Sequence, residues 1–132
     1  MNGSITNQVA EGASILQTQT NSNREHIDQL NAEAWADRFT DLKRCLRQSQ
    51  ETLELAEILE YPRGRAYALR NLGFCAYATS EYESALKLLA EGDALGRVLG
   101  DDTLVRDCLN FIAAVYASLG DFQAAFGFAQ RA

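Results

Sequence analysis

Residues Ala66 to Leu99 and Arg106 to Ala132 are two copies of one pattern, set 40 residues apart. Leu72 pairs with Ile112, Gly73 with Ala113, Ser80 with Gly120, Glu81 with Asp121, Tyr82 with Phe122 and Ala85 with Ala125. A fixed period in this range marks a stacked repeat, in which each unit buries its apolar face only against its neighbours. The echo constrains fold and function class together, because a repeat array presents an extended surface more readily than an enclosed active site.

The units are helical. Leu42, Cys45, Leu46, Leu53, Ala56 and Leu59 recur at intervals of three, four and seven, which predicts a helix over 39–59. Tyr61-Pro62 stops it, since the residue before proline is pushed out of the helical region, and Pro62 can open the next helix at its first turn. Ala66, Leu69, Leu72, Gly73 and Ala76 mark one face of a helix to about Thr79. Ser80-Glu81-Tyr82-Glu83 has capping-box form and predicts a helix over 81–99, with Gly100 as its left-handed exit. Asp101 caps a helix carrying Leu104, Cys108, Ile112, Val115 and Leu119, and Gly120-Asp121 turns into a last helix. Ser22-Asn23-Arg24-Glu25 is another capping box, predicting a first helix with Ile27, Leu30, Ala34 and Arg38 on one face. Residues 1–21, rich in Asn, Gln, Ser, Thr and Gly, read as a flexible arm, or at best a weak helix that docks on something else. No stretch alternates as a strand does, so the expectation is an all-α chain of six helices in three antiparallel hairpins.

The 132 residues suit one domain, and 47% hydrophobic residues with a single proline suit an ordered one. A formal net charge of -6 disfavours nucleic acid and anionic lipid, which need a basic stripe. No apolar run approaches the ~20 residues of a membrane span, and the N-terminus has no signal-peptide form. The expected location is cytoplasmic. Cys45, Cys75 and Cys108 form no CxxC pair and His26 is the only histidine, so no metal site and no cofactor is expected. Each cysteine sits among apolar neighbours and reads as a buried free thiol. No nucleophile has an ordered histidine beside it, and the chain reads as a non-enzyme with no catalytic residues. Acids such as Asp101-Asp102 and Glu81/Glu83 fall at helix N-termini, where they complement the dipole.

Asn71-Leu72-Gly73, the turn Ser80-Glu81-Tyr82-Glu83 and Ala85 resemble the signature of the tetratricopeptide repeat, or TPR. So do Ile112-Ala113-Ala114-Val115-Tyr116, Leu119-Gly120-Asp121-Phe122 and Ala125. The resemblance is to the variety with repeats of 40 to 42 residues and Leu-Gly-Asp at the turn, as in Leu99-Gly100-Asp101. It implies an α-solenoid of about three hairpins in a right-handed superhelix, with repeats near 22–61, 62–100 and 101–132, the last truncated. The first repeat is degenerate: Glu33 falls where Gly73 stands. The excess over the usual period is assigned to longer second helices and turns. Gly73 and Ala113 would let paired helices approach, Ala85 and Ala125 would receive the neighbouring helix, and Gly92 with Gly96 would mark close helix packing.

In such arrays the first helix of each hairpin lines a concave groove. The resemblance therefore places Tyr67, Arg70, Asn71, Phe74 and Ala78, then Asp107, Asn110, Phe111, Ala114 and Ser118, on a peptide-binding face. Arg70, Asn71 and Asn110 would hydrogen-bond an extended peptide, with Tyr67, Phe74 and Phe111 in apolar contact. The competing reading makes Asn71 a partner of nearby backbone and Phe74 and Phe111 core. The function implied is a protein- or peptide-binding scaffold, the regulatory part of a larger bacterial signalling or transcription protein. Two alternatives stand beside it: a self-association module, homodimeric through an open C-terminal end, that dimerises an attached enzyme, and a small-molecule sensor using the groove aromatics.

Overall fold

The computed structural model describes residues 2–132, and side chains from residue 7 onward. Its helices are α1 (Asn2–Ala36), α2 (Leu42–Ile58), α3 (Pro62–Ala78), α4 (Tyr82–Leu99), α5 (Asp102–Ser118) and α6 (Phe122–Arg131), with no strand among the described residues. They form three successive hairpins, as the repeat implies. The second helix of each hairpin packs on the first helix of the next, α2 on α3 and α4 on α5. Helices α1, α3 and α5 also touch in series, whereas α2, α4 and α6 do not touch one another. The stack is therefore closed along the α1–α3–α5 side and fanned open on the other, which makes the α1–α3–α5 side concave.

The turns repeat at half the 40-residue period. The helix N-caps are Asp41, Tyr61, Glu81, Asp101 and Asp121, each 20 residues after the last. One residue before four of them the backbone is left-handed: Glu60 (φ 49°), Ser80 (63°), Gly100 (68°) and Gly120 (81°). Each cap N–H then reaches back five residues, Tyr61 to Ala56 O, Glu81 to Ala76 O, Asp101 to Gly96 O and Asp121 to Tyr116 O. This closure satisfies carbonyls that the helix end would otherwise leave orphaned. Asp41, Asp101 and Asp121 accept from the backbone N–H three residues on, whereas Tyr61 and Glu81 cap without a side-chain bond.

Packing explains where small residues fall. A Cβ on Gly73 would lie 2.6 Å from Leu89 Cγ, and one on Gly64 2.6 Å from Ile27 Cγ2. Gly92 and Gly96 sit against Cys108 and Val105, so this pair serves helix contact inside the molecule. Ala85 is fully buried, Ala113 nearly so, and Ala125 half-buried. Helix α3 is enclosed by four others and buries eleven of its residues. The main core joins Ala66 and Ala76 of α3, Leu89 of α4, and Leu104, Cys108, Ile112 and Val115 of α5. A smaller one joins Ala34, Cys45 and Cys75.

Four expectations are corrected. Of the two readings of the N-terminal segment, residues 2–21 take the helical one and continue α1, though residues 7–19 dock on nothing among the described residues; Met1 lies outside the described residues. Nothing between them and Ala36 breaks a helix, and their polar side chains bond along it, Thr18 to Ser14 O, Thr20 to Leu16 O and Gln17 to Asn21. Ser22 therefore lies inside a helix and caps nothing. It remains an arm in one sense, since residues 7–19 are all exposed. Second, the box at Ser80–Glu83 does not form; Ser80 takes the left-handed position that Gly120 takes 40 residues later. Third, the long period is not carried by the second helices alone. The four inner helices are nearly equal, 17 residues in α2, α3 and α5 and 18 in α4, so first and second helices share the excess. Fourth, α2 starts at Leu42 rather than Phe39, which lies in the turn and is 75% exposed.

Candidate concave-face site

The concave face is built on one tryptophan. Trp35, on the last turn of α1, is half-buried, and its ring meets Phe74 of α3 edge-on at 5.8 Å and Phe111 of α5 at 5.6 Å. Phe74 and Phe111 meet at 5.2 Å, and Phe39 adds a further edge contact to Phe74. Three helices from three hairpins thus share one aromatic cluster, each contact adding roughly 0.5–1.5 kcal/mol beyond area burial. Two guanidinium groups flank Trp35, Arg38 and Arg70, each with its central carbon 3.9 Å from the ring centroid.

Beside the aromatics runs a polar chain. Asn31 Nδ2 donates to Gly64 O, Asn71 Nδ2 to Asn31 O, and Arg70 Nε and Nη2 to Asn71 Oδ1. Arg70 Nη1 closes the chain on Asp107 Oδ2 at 2.9 Å. The chain links α1, α3 and α5 and is mostly buried: Asn71 is 0% exposed and Arg70 5%. Burial pulls the Arg70 guanidinium down from its ordinary value, and the Asp107 charge opposes that pull. Asn31 Oδ1, also buried, accepts from nothing among the described residues.

Between α1 and α3 the face opens into a cleft of about 250 Å³ beside Trp35, with Asp28, Ala32, Arg63, Tyr67 and Arg70 around it. Tyr67 Oη donates to Asp101 Oδ2 at 2.7 Å, and burial together with that bond pushes the phenol up to about 12. Arg63 lies over the Tyr67 ring and pairs with Asp101 at 3.6 Å. Burial pushes the Asp101 carboxyl up, but the bonds from Tyr67 and Leu104 N and the Arg63 charge outweigh it, and the net shift is downward. Tyr61 donates to Asp28 at the other rim. The cleft therefore offers aromatic faces and a rim of both charge signs.

The sequence-selected residues divide. Tyr67, Asp107 and Phe111 are partly exposed on the concave face, and Asn110 is exposed. Asn71 is enclosed and Phe74 is 4% exposed, so both belong to the frame, as does most of Arg70. Ala78 and Ser118 are exposed and Ala114 half-buried. Of the repeat residues, Leu72, Ile112 and Ala113 are buried, Tyr82 packs on the core, and Tyr116 stacks on Phe128 at 5.4 Å. Phe122, the counterpart of Tyr82, is 71% exposed: Tyr82 meets the Tyr77 ring at 6.4 Å, whereas Ala117 stands at the position 40 residues after Tyr77. Trp35, Asn31, Asp28 and Arg63 were missed. The first three lie in the eroded repeat, where no register pointed to them; the signal available was the lone tryptophan followed by Arg38 and Phe39.

The chain has the tetratricopeptide-repeat fold. The crystal structure of the TPR domain of Arabidopsis FLU is similar to it with a TM-score of 0.70, covering 83% of this chain and 92% of that one. Sequence identity to it is 21%, so the likeness is one of fold. A clustered mitochondria protein homolog of Caenorhabditis briggsae is 37% identical over 57 residues, 42% of this chain and 4% of that protein. The chain thus spans a small fraction of the curated relative's length. No family model matches the chain. No helix among the described residues is long and apolar enough to cross a membrane, and no described group of three or more His, Cys, Asp or Glu could hold a metal ion.

Proposed function

We propose that the chain is a non-enzymatic protein-binding module that takes a segment of a partner along its concave face. The observation that carries this is the cleft beside Trp35 and Tyr67, which leaves aromatic surface half-exposed at the centre of the α1–α3–α5 side. Trp35, Tyr67 and Phe111 supply apolar contact, and Asn110, Arg63 and Asp28 supply polar contact at the rim. Asn71 has no part in it, and Arg70 contributes as the support beneath Tyr67 and Trp35. The setting we propose is a cytoplasmic scaffold or the regulatory part of a larger signalling or transcription protein. The similar proteins come from a plant and a nematode, so the proposal carries no bacterial assignment.

The test is selection of binders from a displayed random-peptide library, repeated with Ala32→Trp. Ala32 is an exposed wall of the cleft, so the larger side chain fills the cleft without entering the core. Loss of the enriched peptides supports the reading, and enrichment that survives Ala32→Trp and Asn110→Lys rejects it.

Self-association is the second reading, favoured by Phe122 and Phe126, 71% and 66% exposed on α6. In it, α6 of one copy is covered by another copy. Sedimentation equilibrium decides: a dimer that Phe122→Glu dissociates supports it, and a monomer at millimolar concentration rejects it. A small-molecule sensor is disfavoured, because a cleft of about 250 Å³ falls below the roughly 300–1,000 Å³ that enclose drug-sized ligands.

A further inference from the structure

We propose that Cys45 and Cys75 are a peroxide-responsive thiol pair that closes to a disulfide joining α2 to α3. Their Sγ atoms are 3.5 Å apart, in the small core where α1, α2 and α3 meet under Ala34. Bonding needs the sulfurs to close to ~2 Å, a movement within reach of side-chain rotation when both helices are already in contact. Cys108 is wholly buried in the other core. It serves as an internal control.

Two features separate this pair from inert apolar packing. The first is access. Cys75, 2% exposed, forms part of the wall of an open cleft of about 380 Å³ between α2, α3 and α4, beside Leu46, Thr79 and Ser84, and the wholly buried Cys45 lies directly behind it. The second is a surrounding that favours a thiolate. Ser49, one helical turn after Cys45, is wholly buried and its Oγ has no partner among the described residues, so its hydroxyl is available to a sulfur anion. The Cys45 thiol is lowered to about 7, first by the hydrogen bond from Cys75, against burial, and then by Ser49 and the Arg38 charge; Asp37 acts the other way. Cys75 is pushed up by its hydrogen bond to Cys45 and by burial, so Cys45 is the thiolate and Cys75 the resolving thiol; Cys108, with no such partner, is pushed up to about 12 by burial. Thiolate character and access select cysteines for oxidation, and the pair divides them, Cys45 holding the charge and Cys75 facing the cleft.

The chemistry balances with hydrogen peroxide as the only oxidant. A thiolate of the pair attacks one peroxide oxygen, the O–O bond breaks, and hydroxide leaves with a sulfenic acid formed. The second thiol then attacks the sulfenic sulfur, the S–O bond breaks, and water leaves. Overall two thiols and one peroxide give one disulfide and two waters. The bond would tie the first hairpin to the second directly behind Phe74.

The experiment exposes the reduced full chain to peroxide, quenches it with acid, and alkylates it in denaturant. The expected intact mass is lower by two hydrogens before alkylation, with one alkyl group added, at Cys108. Trypsin should release Cys45–Arg47 bridged to Asn71–Lys87. The loop closed is 30 residues, so oxidation should raise Tm by roughly 10 °C, reversibly with dithiothreitol. Cys108→Ser should behave like the parent, and Cys45→Ser should acquire neither the bridge nor the Tm rise. If Cys45→Ser fails to fold, the peptide map of the parent decides alone. The proposal is overturned if all three thiols remain alkylatable when a free thiol in the same tube is consumed. It is equally overturned if Cys75 advances to sulfinic acid unbridged.

Discussion

Arg70 carries its charge into a site only 5% exposed, held by Asp107 on one side, Asn71 on another and the Trp35 and Tyr67 rings on its faces. Every one of those partners is set by a different turn of helix, so the residue fixes the spacing of α1, α3 and α5 together. Removing one member of a buried, hydrogen-bonded pair leaves the other charge uncompensated, at a cost of about 3–5 kcal/mol. Arg70→Glu goes further, placing a carboxylate against Asp107. It should lower the unfolding free energy measured in urea by that amount or unfold the chain. Asp101 is the second residue whose charge matters. Its folded value lies below the ordinary carboxylate value, so the stability it contributes is present above the unfolded pKa and is lost as pH falls through the folded one. The parent chain should lose more Tm than Asp101→Asn as the pH falls below the ordinary carboxylate value of ~3.9. Equal losses would show that Tyr67 and Arg63 do not hold the carboxylate.

Among the elements, the turns are the part whose chemistry is most uniform and least even in sequence. Gly100 and Gly120 take the left-handed position at no steric cost, whereas Glu60 and Ser80 take it with a Cβ. Ser80→Gly should therefore stabilise the chain by about 0.5–1 kcal/mol, the relief exceeding the added entropy of the unfolded glycine. Gly73→Ala should do the reverse: the gain in helix propensity of about 1 kcal/mol is outweighed by a Cβ 2.6 Å from Leu89 Cγ, overpacking that costs roughly 1–3 kcal/mol. Chemical denaturation of the two variants separates the effects. The elements were legible because apolar spacing, Pro62, Gly100 and Asp101 act locally. The 20-residue rhythm was hidden because its four left-handed positions hold three residue types, Glu, Ser and Gly. The start of α1 was missed because a polar helix without tertiary contact has no apolar face to read. The groove was half legible: the family resemblance put Tyr67, Arg70, Phe74 and Phe111 on one side, but neither it nor helical spacing tells a residue at the groove from one beneath it. That depends on α1, whose repeat has decayed around Trp35.

At the scale of the molecule, stability is a sum of neighbour contacts rather than the property of one centre. Helix α3 touches α1, α2, α4 and α5, whereas α6 touches only α5 and has no fully buried residue. Residues 7–19 of α1 bury nothing. Opening α6 or that first segment therefore exposes little apolar surface, while opening α3 separates both cores and breaks the Asn31–Asn71–Arg70–Asp107 chain. Native-state hydrogen exchange should show protection highest in α3, falling through α4 and α5 to α6, and lowest across 7–19. Gly12→Ala tests the low end: its Cβ would meet nothing within 4 Å, so the substitution should raise helicity there by its propensity alone. The Tm should stay unchanged, since the segment carries no contact that global unfolding breaks. A rise in Tm with Gly12→Ala, or protection across 7–19 equal to that of α3, would mean that this stretch packs on something. The partner surface would then extend beyond the concave face along α1.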